Sequence, residues 1–344
     1  MLKRILPIIM AIAIVLAVFY MLGPKASVQN LAGKYPEIPT TPVDLENYVF
    51  QKEDTVKGLK PGNEAKIIWA DPLNKEKTPY SIVYIHGFGA SEMEGNPVNR
   101  KLAEYFGANL FLARLPEHGI DRVDAMKHLN APKLMNGARE AYMIGKSLGD
   151  SVIVVGTSMG GALSINLASE RSDMKALVLY SPAVGVNGDM LEQFFQPWRK
   201  FIFENFMLEN GTRTMKREGE KAKYWSEQYH VNSYESLAVL IKSTMNDSTF
   251  QKITQPLFLG YFYKNEKEQD FVVSVPKMLD MYEKVSTPAD QKYKNPFPES
   301  GDHVIASDIT SKDWKGVLKS TIEFLEKLPL LNKTDSLSDN EILP

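Results

Sequence analysis

The chain has 344 residues, of which 44% are hydrophobic and 24% charged. That length allows one large core that buries roughly 75% of the chain's surface, with or without an insertion. A net charge of −2 leaves no basic excess for nucleic acid, and the absence of cysteine excludes disulfides, zinc–thiolate sites and a cysteine nucleophile.

Lys3 and Arg4 precede an uncharged run of eighteen residues, Ile5 to Leu22. At about 1.5 Å each these rise about 27 Å, close to the roughly 30 Å hydrocarbon core of a bilayer. The run predicts an uncleaved membrane anchor over 1–27, with the rest of the chain extracytoplasmic, periplasmic or at the cell surface. Cleavage of the same stretch as a signal peptide would give a secreted protein instead. Residues 28–44 are polar, carry Pro36, Pro39 and Pro42, and read as a linker.

Tyr48–Val56 and Ala65–Ala70 read as opening strands, and Ser81–Ile85 as the next, ending in His86-Gly87-Phe88-Gly89-Ala90-Ser91. Pro97–Phe106 carries Val98, Leu102 and Tyr105 on one helical face. Leu110–Ala113 is a strand, and Lys133–Leu148 a helix with Gly149 as its stop signal. Val152–Val155 is an unbroken β-branched run, which suits a parallel strand buried on both faces. Gly156-Thr157-Ser158-Met159-Gly160-Gly161 follows, then an Ala- and Leu-bearing helix over 162–168. Ala176–Tyr180 and Leu257–Gly260 are further strands, while Val275–Tyr282 and Trp314–Leu328 are helices. The alternation predicts a mostly parallel central sheet flanked by helices. It breaks over 184–251, which is dense in aromatic and Met residues and reads as an inserted helical cap. The core is thus 45–183 with 252–328, and 329–344 reads as a disordered tail.

Strand, sharp turn and helix are the context in which G-x-S-x-G lifts a serine hydroxyl above a sheet edge. A serine at neutral pH needs a base, and the base needs an acid to hold its tautomer. On a nucleophile elbow the chain order is Ser, acid, His. Of five histidines only His303 lies beyond the strand at 257–260. The loop after that strand offers Glu266, Glu268 and Asp270, and the apolar residues after Asp270 would fix it against the core. The predicted set is therefore Ser158, Asp270 and His303, with Glu268 as second choice of acid. The oxyanion donors are the backbone N–H groups of Met159, next to the nucleophile, and Phe88, in the loop after a central strand. His86 reads as a structural hydrogen-bonder of that loop. No metal and no cofactor is called for.

With these residues in place, the chain resembles the α/β-hydrolase family over about Tyr48–Leu328. Within it the chain is most similar to the monoacylglycerol lipase and lysophospholipase branch, also described as serine aminopeptidase-like. His86-Gly87-Phe88-Gly89 after a strand, and Ser158-Met159-Gly160-Gly161 with a cap between two later strands, carry the resemblance. It implies Ser158, Asp270 and His303 as the triad, Phe88 and Met159 as oxyanion donors, and a helical cap lining an acyl pocket. Thr157 departs from relatives that often carry His there. The function implied is cleavage of carboxylic esters, monoacylglycerol-like or short-chain, through an acyl-enzyme. The partners expected are a small ester or lipid and, through residues 1–27, a membrane. Phe194, Phe195 and Trp198 are candidates to line the pocket and His118 to reach its mouth. The same triad would serve an amidase, peptidase or thioesterase, and a binding protein on this fold is the third reading.

Overall fold

The structure is a computed structural model that describes residues 2–328; the predicted tail at 329–344 lies outside the described residues.

The sheet is built from β1 (Lys66–Ile68), β2 (Thr78–Ile85), β3 (Asn109–Leu112), β4 (Gly149–Thr157), β5 (Ala176–Tyr180), β6 (Leu257–Tyr261) and β7 (Lys292–Pro296). Their spatial order is β1-β3-β2-β4-β5-β6-β7. β1 runs antiparallel to β3, and every other pairing is parallel. Val152–Val155 lie at the centre of this sheet and are fully buried, as a β-branched run covered on both faces should be.

Strand pleating sends alternate side chains to opposite faces. Val83, Ile85, Val154 and Leu177 join one apolar cluster with α4 (Ala131–Leu148) and α5 (Met159–Glu170). Ile82, Tyr84, Ile153 and Val155 join a second with α3 (Val98–Tyr105) and α8 (Trp314–Glu326). The result is a three-layer helix–sheet–helix arrangement with the elbow at the end of the central strand.

Several elements differ from the sequence reading. Tyr48–Val56 is not a strand; all but its last two residues belong to α2 (Pro42–Asp54). Thr41 caps that helix by accepting the Asp44 N–H, Pro42 starts it, and Leu45 and Val49, one turn apart, are its buried residues. Gly149 caps α4 as expected, its N–H donating to the Gly145 carbonyl, but it does so in extended backbone as the first residue of β4, where a Cβ would lie 2.3 Å from the Ser81 nitrogen. β7 went unread because its residues, Lys-Tyr-Lys-Asn-Pro, carry no apolar run at the sheet's edge.

The predicted membrane anchor is overturned: among the described residues no helix is long and apolar enough to cross a membrane. α1 (Leu2–Met21) has Pro7 inside it, which removes a backbone hydrogen bond. Its last turn is taken up by the protein itself. Phe19 stacks on Trp198 at 4.9 Å, and the carbonyls of Phe19 and Tyr20 accept the indole N–H at 3.2 and 3.1 Å. The membrane partnership of residues 1–27, and the extracytoplasmic or secreted placement that rested on it, go with the anchor. The stretch after α1 is strapped to the core. Ala26 and Leu31 are buried, and the Leu31 carbonyl accepts Nη2 of the buried Arg139 at 2.6 Å.

The insertion between β5 and β6 is only partly helical. It holds a short helix at Arg199–Ile202, an antiparallel pair of Thr212–Thr214 with Gln228–His230, a turn of helix at Gly219–Tyr224, and α6 (Val231–Thr244). Each strand of the pair is three residues long, too short to show alternation in the sequence. After β6, α7 (Val275–Lys284) starts from the Ser274 cap.

Candidate active site

Ser158 sits between β4 and α5 with φ 53° and ψ −118°. A non-glycine residue held there costs of order 1–3 kcal/mol and persists only where its surroundings over-determine it. They do so here. The Ser158 N–H donates to the Tyr180 carbonyl at 3.0 Å, and its carbonyl accepts from Ala183 at 2.8 Å and Ala162 at 3.1 Å. The turn is tight enough to require glycine. A Cβ on Gly160 would lie 2.0 Å from the Ile85 carbonyl oxygen, and one on Gly156 2.4 Å from Ser164 Oγ.

Asp270 and His303 come from two different loops, one after β6 and one after β7. Oδ2 of Asp270 accepts the His303 Nδ1–H at 2.6 Å. Its Oδ1 accepts the backbone N–H groups of Val272 at 2.8 Å and Val273 at 3.0 Å, so the carboxylate is held from both oxygens. The apolar residues after Asp270 thus fix it through their backbone. Glu266 and Glu268 stand out in solvent on the small hairpin of Tyr263–Asn265 and Glu268–Gln269. Asp302 points away from its neighbour, accepting the Val304 N–H at 2.9 Å and standing 3.5 Å from Lys221 Nζ.

With Nδ1 on Asp270, the other ring nitrogen of His303, Nε2, is buried and has no hydrogen-bond partner among the described residues. His303, Ser158, Met159 and Phe88 all line one cavity of about 310 Å³. Met159 is the first residue of α5, so its N–H has no acceptor within the helix. Val186, Leu237, Val272 and Val273 give this cavity its apolar wall. A larger cleft of about 510 Å³ lies elsewhere, between α2 and α4, and Ser158 does not line it.

Burial pushes the His303 imidazole down, but the charge and hydrogen bond of Asp270, with Glu94 and Asp302 behind them, outweigh it, so its pKa lies above the usual 6.5.

The sequence profile of the family described as serine aminopeptidase, S33 matches residues 140–286, which contain Ser158 and Asp270. A thermostable monoacylglycerol lipase of Bacillus sp. (strain H-257) is 28% identical over 117 residues, 34% of this chain. The chain spans about half the length of that curated relative, 46% of it. A solved structure from work on LipS and LipT, two metagenome-derived lipolytic enzymes, superposes with a TM-score of 0.62 at 16% identity, over 77% of this chain and 98% of that one. The chain has the α/β-hydrolase fold. Two further structures share the fold. Est1E from Butyrivibrio proteoclasticus, solved with ferulic acid, gives 0.53 at 18% identity over 77% and 94% of the two chains. The monoacylglycerol lipase of Paleococcus ferrophilus gives 0.52 at 14% over 76% and 96%.

The other residues named from the sequence are placed apart from the cavity that holds Ser158. Phe194 is buried against Phe203 inside the insertion, and Trp198 packs on α1. Phe195 lies under the Lys242 ammonium. None of the three lines the cavity that holds Ser158. His118 is fully buried behind Phe88, its Nδ1–H donating to the Pro116 carbonyl at 2.9 Å, and burial pushes its pKa down to about 4. His86 donates from Nδ1 to the Gly87 carbonyl at 2.9 Å and accepts the Leu115 N–H on Nε2 at 3.0 Å, which holds it neutral within the loop.

Sequence reasoning missed Glu94. It lies in the 3₁₀ turn Glu92–Gly95 after the His86–Ser91 loop and is 3% exposed, yet it lines the cavity with Ser158. Its Oε2 accepts the Gly87 N–H and faces the Tyr84 hydroxyl at 3.3 Å, and that hydroxyl also donates to Thr157 Oγ1 at 3.0 Å. Burial pushes its pKa up to about 7, against the opposing pull of the Gly87 N–H and His303. The only sequence signal was a Glu seven residues after a loop glycine, where a surface turn is the ordinary expectation.

Proposed function

We propose that the protein is a serine ester hydrolase working through an acyl-enzyme. In this reading Ser158 is the nucleophile, His303 the base and Asp270 the group that orients it. The Phe88 and Met159 N–H groups stabilise the oxyanion, and residues 184–251 form the cap. The observation that carries the reading is the Asp270–His303 bond at 2.6 Å behind an unpartnered Nε2 that faces the cavity of Ser158. The Ser158 proton passes to Nε2 as Oγ attacks the ester carbonyl, and Asp270 stabilises the imidazolium that results. That proton then goes to the departing alkoxide. A water deprotonated at the same Nε2 attacks the acyl-serine, the acid leaves, and Ser158 recovers its proton.

A cavity of about 310 Å³ is at the small end for a ligand site and favours short acyl groups. The monoacylglycerol lipases among the similar proteins keep a monoacylglycerol-like ester in view as substrate. An aminopeptidase would need a carboxylate free to hold the substrate amine. Asp302 faces Lys221 and Glu94 is held by Gly87, so esters are the better fit.

The test is labelling by a fluorophosphonate probe, with p-nitrophenyl esters of increasing chain length as substrates. Labelling at Ser158 and a kcat/KM that peaks at short acyl chains are expected. A protein that neither labels nor hydrolyses any ester would overturn the reading.

The pH dependence follows from the groups around His303. Below its raised pKa the imidazole is protonated and takes no proton from Ser158, so kcat/KM should rise with pH through a value above 6.5 and then level off. Glu94→Gln keeps an acceptor for Gly87 but removes a carboxylate that favours the imidazolium. The acid limb should then move to lower pH, while Asp270 and Asp302 remain. A pH–rate profile of the two proteins checks this, and an unmoved limb would show that Glu94 is only a structural brace.

A further inference from the structure

Arg217 comes from the insertion and reaches the same cavity as Ser158 and His303. Its guanidinium is strangely placed for a cap residue. Nη2 donates to the Tyr229 hydroxyl at 3.2 Å, while Nε is buried and has no partner among the described residues. The nearby Glu227 accepts the Arg217 backbone N–H at 2.8 Å and not the guanidinium. Tyr229 itself rests on the oxyanion loop: a Cβ on Gly89 would lie 2.2 Å from its hydroxyl oxygen, and its ring is 5.4 Å from that of Phe88. The Arg217 charge is thereby held on the insertion over the loop that supplies Phe88. Lys221 lines the same cavity, and the Asp302 carboxylate it faces is 3.5 Å away. The remaining acid, Glu94, is occupied by the Gly87 N–H.

A buried guanidinium N–H without an acceptor is costly, because the group has given up water and received nothing in return. An oxyanion removes that cost, since the planar fork of Arg matches the two oxygens of a carboxylate or phosphate. We propose that Arg217, with Lys221 lining the same cavity, is a specificity-determining site for an anionic group, a carboxylate or a phosphate, carried by the ester substrate. The substrate class is then an ester with one negative group near the scissile bond. This inference rests on the ester-hydrolase reading above and narrows it. The carboxylate would belong to the acyl part, as in the half-ester of a dicarboxylic acid, whereas the phosphate would belong to the leaving alcohol.

The test compares two matched pairs on the full chain. p-Nitrophenyl hexanoate and mono-p-nitrophenyl adipate differ by a methyl against a carboxylate at the acyl end. A 1-acylglycerol and its 3-phosphate differ at the leaving group. The wild type should favour the anionic member in one pair, which also tells the two sources apart. In Arg217→Gln the anionic-to-neutral ratio of kcat/KM should fall at least about tenfold, and Arg217→Lys should restore part of it. The ratio cancels any general loss of active or folded protein. A preference for the neutral member in both pairs, or a ratio unchanged in Arg217→Gln, overturns the proposal while leaving the hydrolase reading in place.

Binding of the same anionic and neutral compounds to Ser158→Ala, measured by calorimetry, separates the two failures. If the wild type hydrolyses nothing but the anionic compound still binds better, and loses that advantage when Arg217→Gln is added, the hydrolase reading falls and the anion site stands. If neither turnover nor binding distinguishes the members of a pair, the anion site falls.

Discussion

Replacing Ser158 by alanine should lower kcat for p-nitrophenyl esters by about 10⁴–10⁶ and abolish fluorophosphonate labelling. The size of the loss follows from what remains. Without Oγ no acyl-enzyme forms, and the oxyanion donors and the cavity can only assist direct attack by water. The fold should be indifferent to the change. The bonds that hold the turn, from the Ser158 N–H to Tyr180 and from Ala183 and Ala162 to its carbonyl, all belong to the backbone. The variant should therefore melt like the wild type, with a modest loss at most from placing alanine at φ 53°. Residual hydrolysis within about tenfold of the wild type would move the nucleophile elsewhere.

Asp270→Asn should lower kcat by about 10⁴ with KM little changed. The substitution is nearly isosteric, and its consequences can be read from the hydrogen bonds. Oδ1 would still accept from Val272 and Val273, because both are backbone donors. The amide NH₂ must then face His303 Nδ1 where Oδ2 now accepts at 2.6 Å. Two N–H groups cannot face each other, so Nδ1 becomes the acceptor and the proton moves to Nε2. That tautomer has no lone pair to take the Ser158 proton. The variant also loses the charge that raises the His303 pKa, so its remaining activity should have an acid limb at lower pH than the wild type. Steady-state kinetics with a pH–rate profile check both effects. A loss in KM alone would mean that Asp270 only props up the loop.

The legibility of the sequence varied with the range of the interaction. Val152–Val155, Ala176–Tyr180 and the Gly156–Gly161 turn were readable because burial on both faces and a steric demand for glycine act within a few residues. α2 reads as a strand over Tyr48–Val56 because Tyr48, Val49 and Phe50 are strand-favouring residues, while its start signal, Thr41–Pro42, lies upstream of them. β7 was missed because its place in the sheet is dictated by its partner β6, with no apolar pattern of its own.

The order of Ser158, Asp270 and His303 along the chain follows from local motifs and from the elimination of other histidines, and the chain by itself carried that much. The bond between Asp270 and His303, two loops 33 residues apart, was the tertiary structure's to decide. So was the cavity. Glu94 and Arg217 enter it from segments 64 and 59 residues to either side of Ser158, and no periodicity says which way such side chains face. The aromatic run at Phe194–Trp198 shows the converse. Composition alone does not distinguish a pocket lining from a packed interior, and here Trp198 is spent on the end of α1. Hydrophobic composition reports only that a side chain leaves water. What it meets when it does is set by elements far away in the chain, and that is why the turn was legible and the pocket was not.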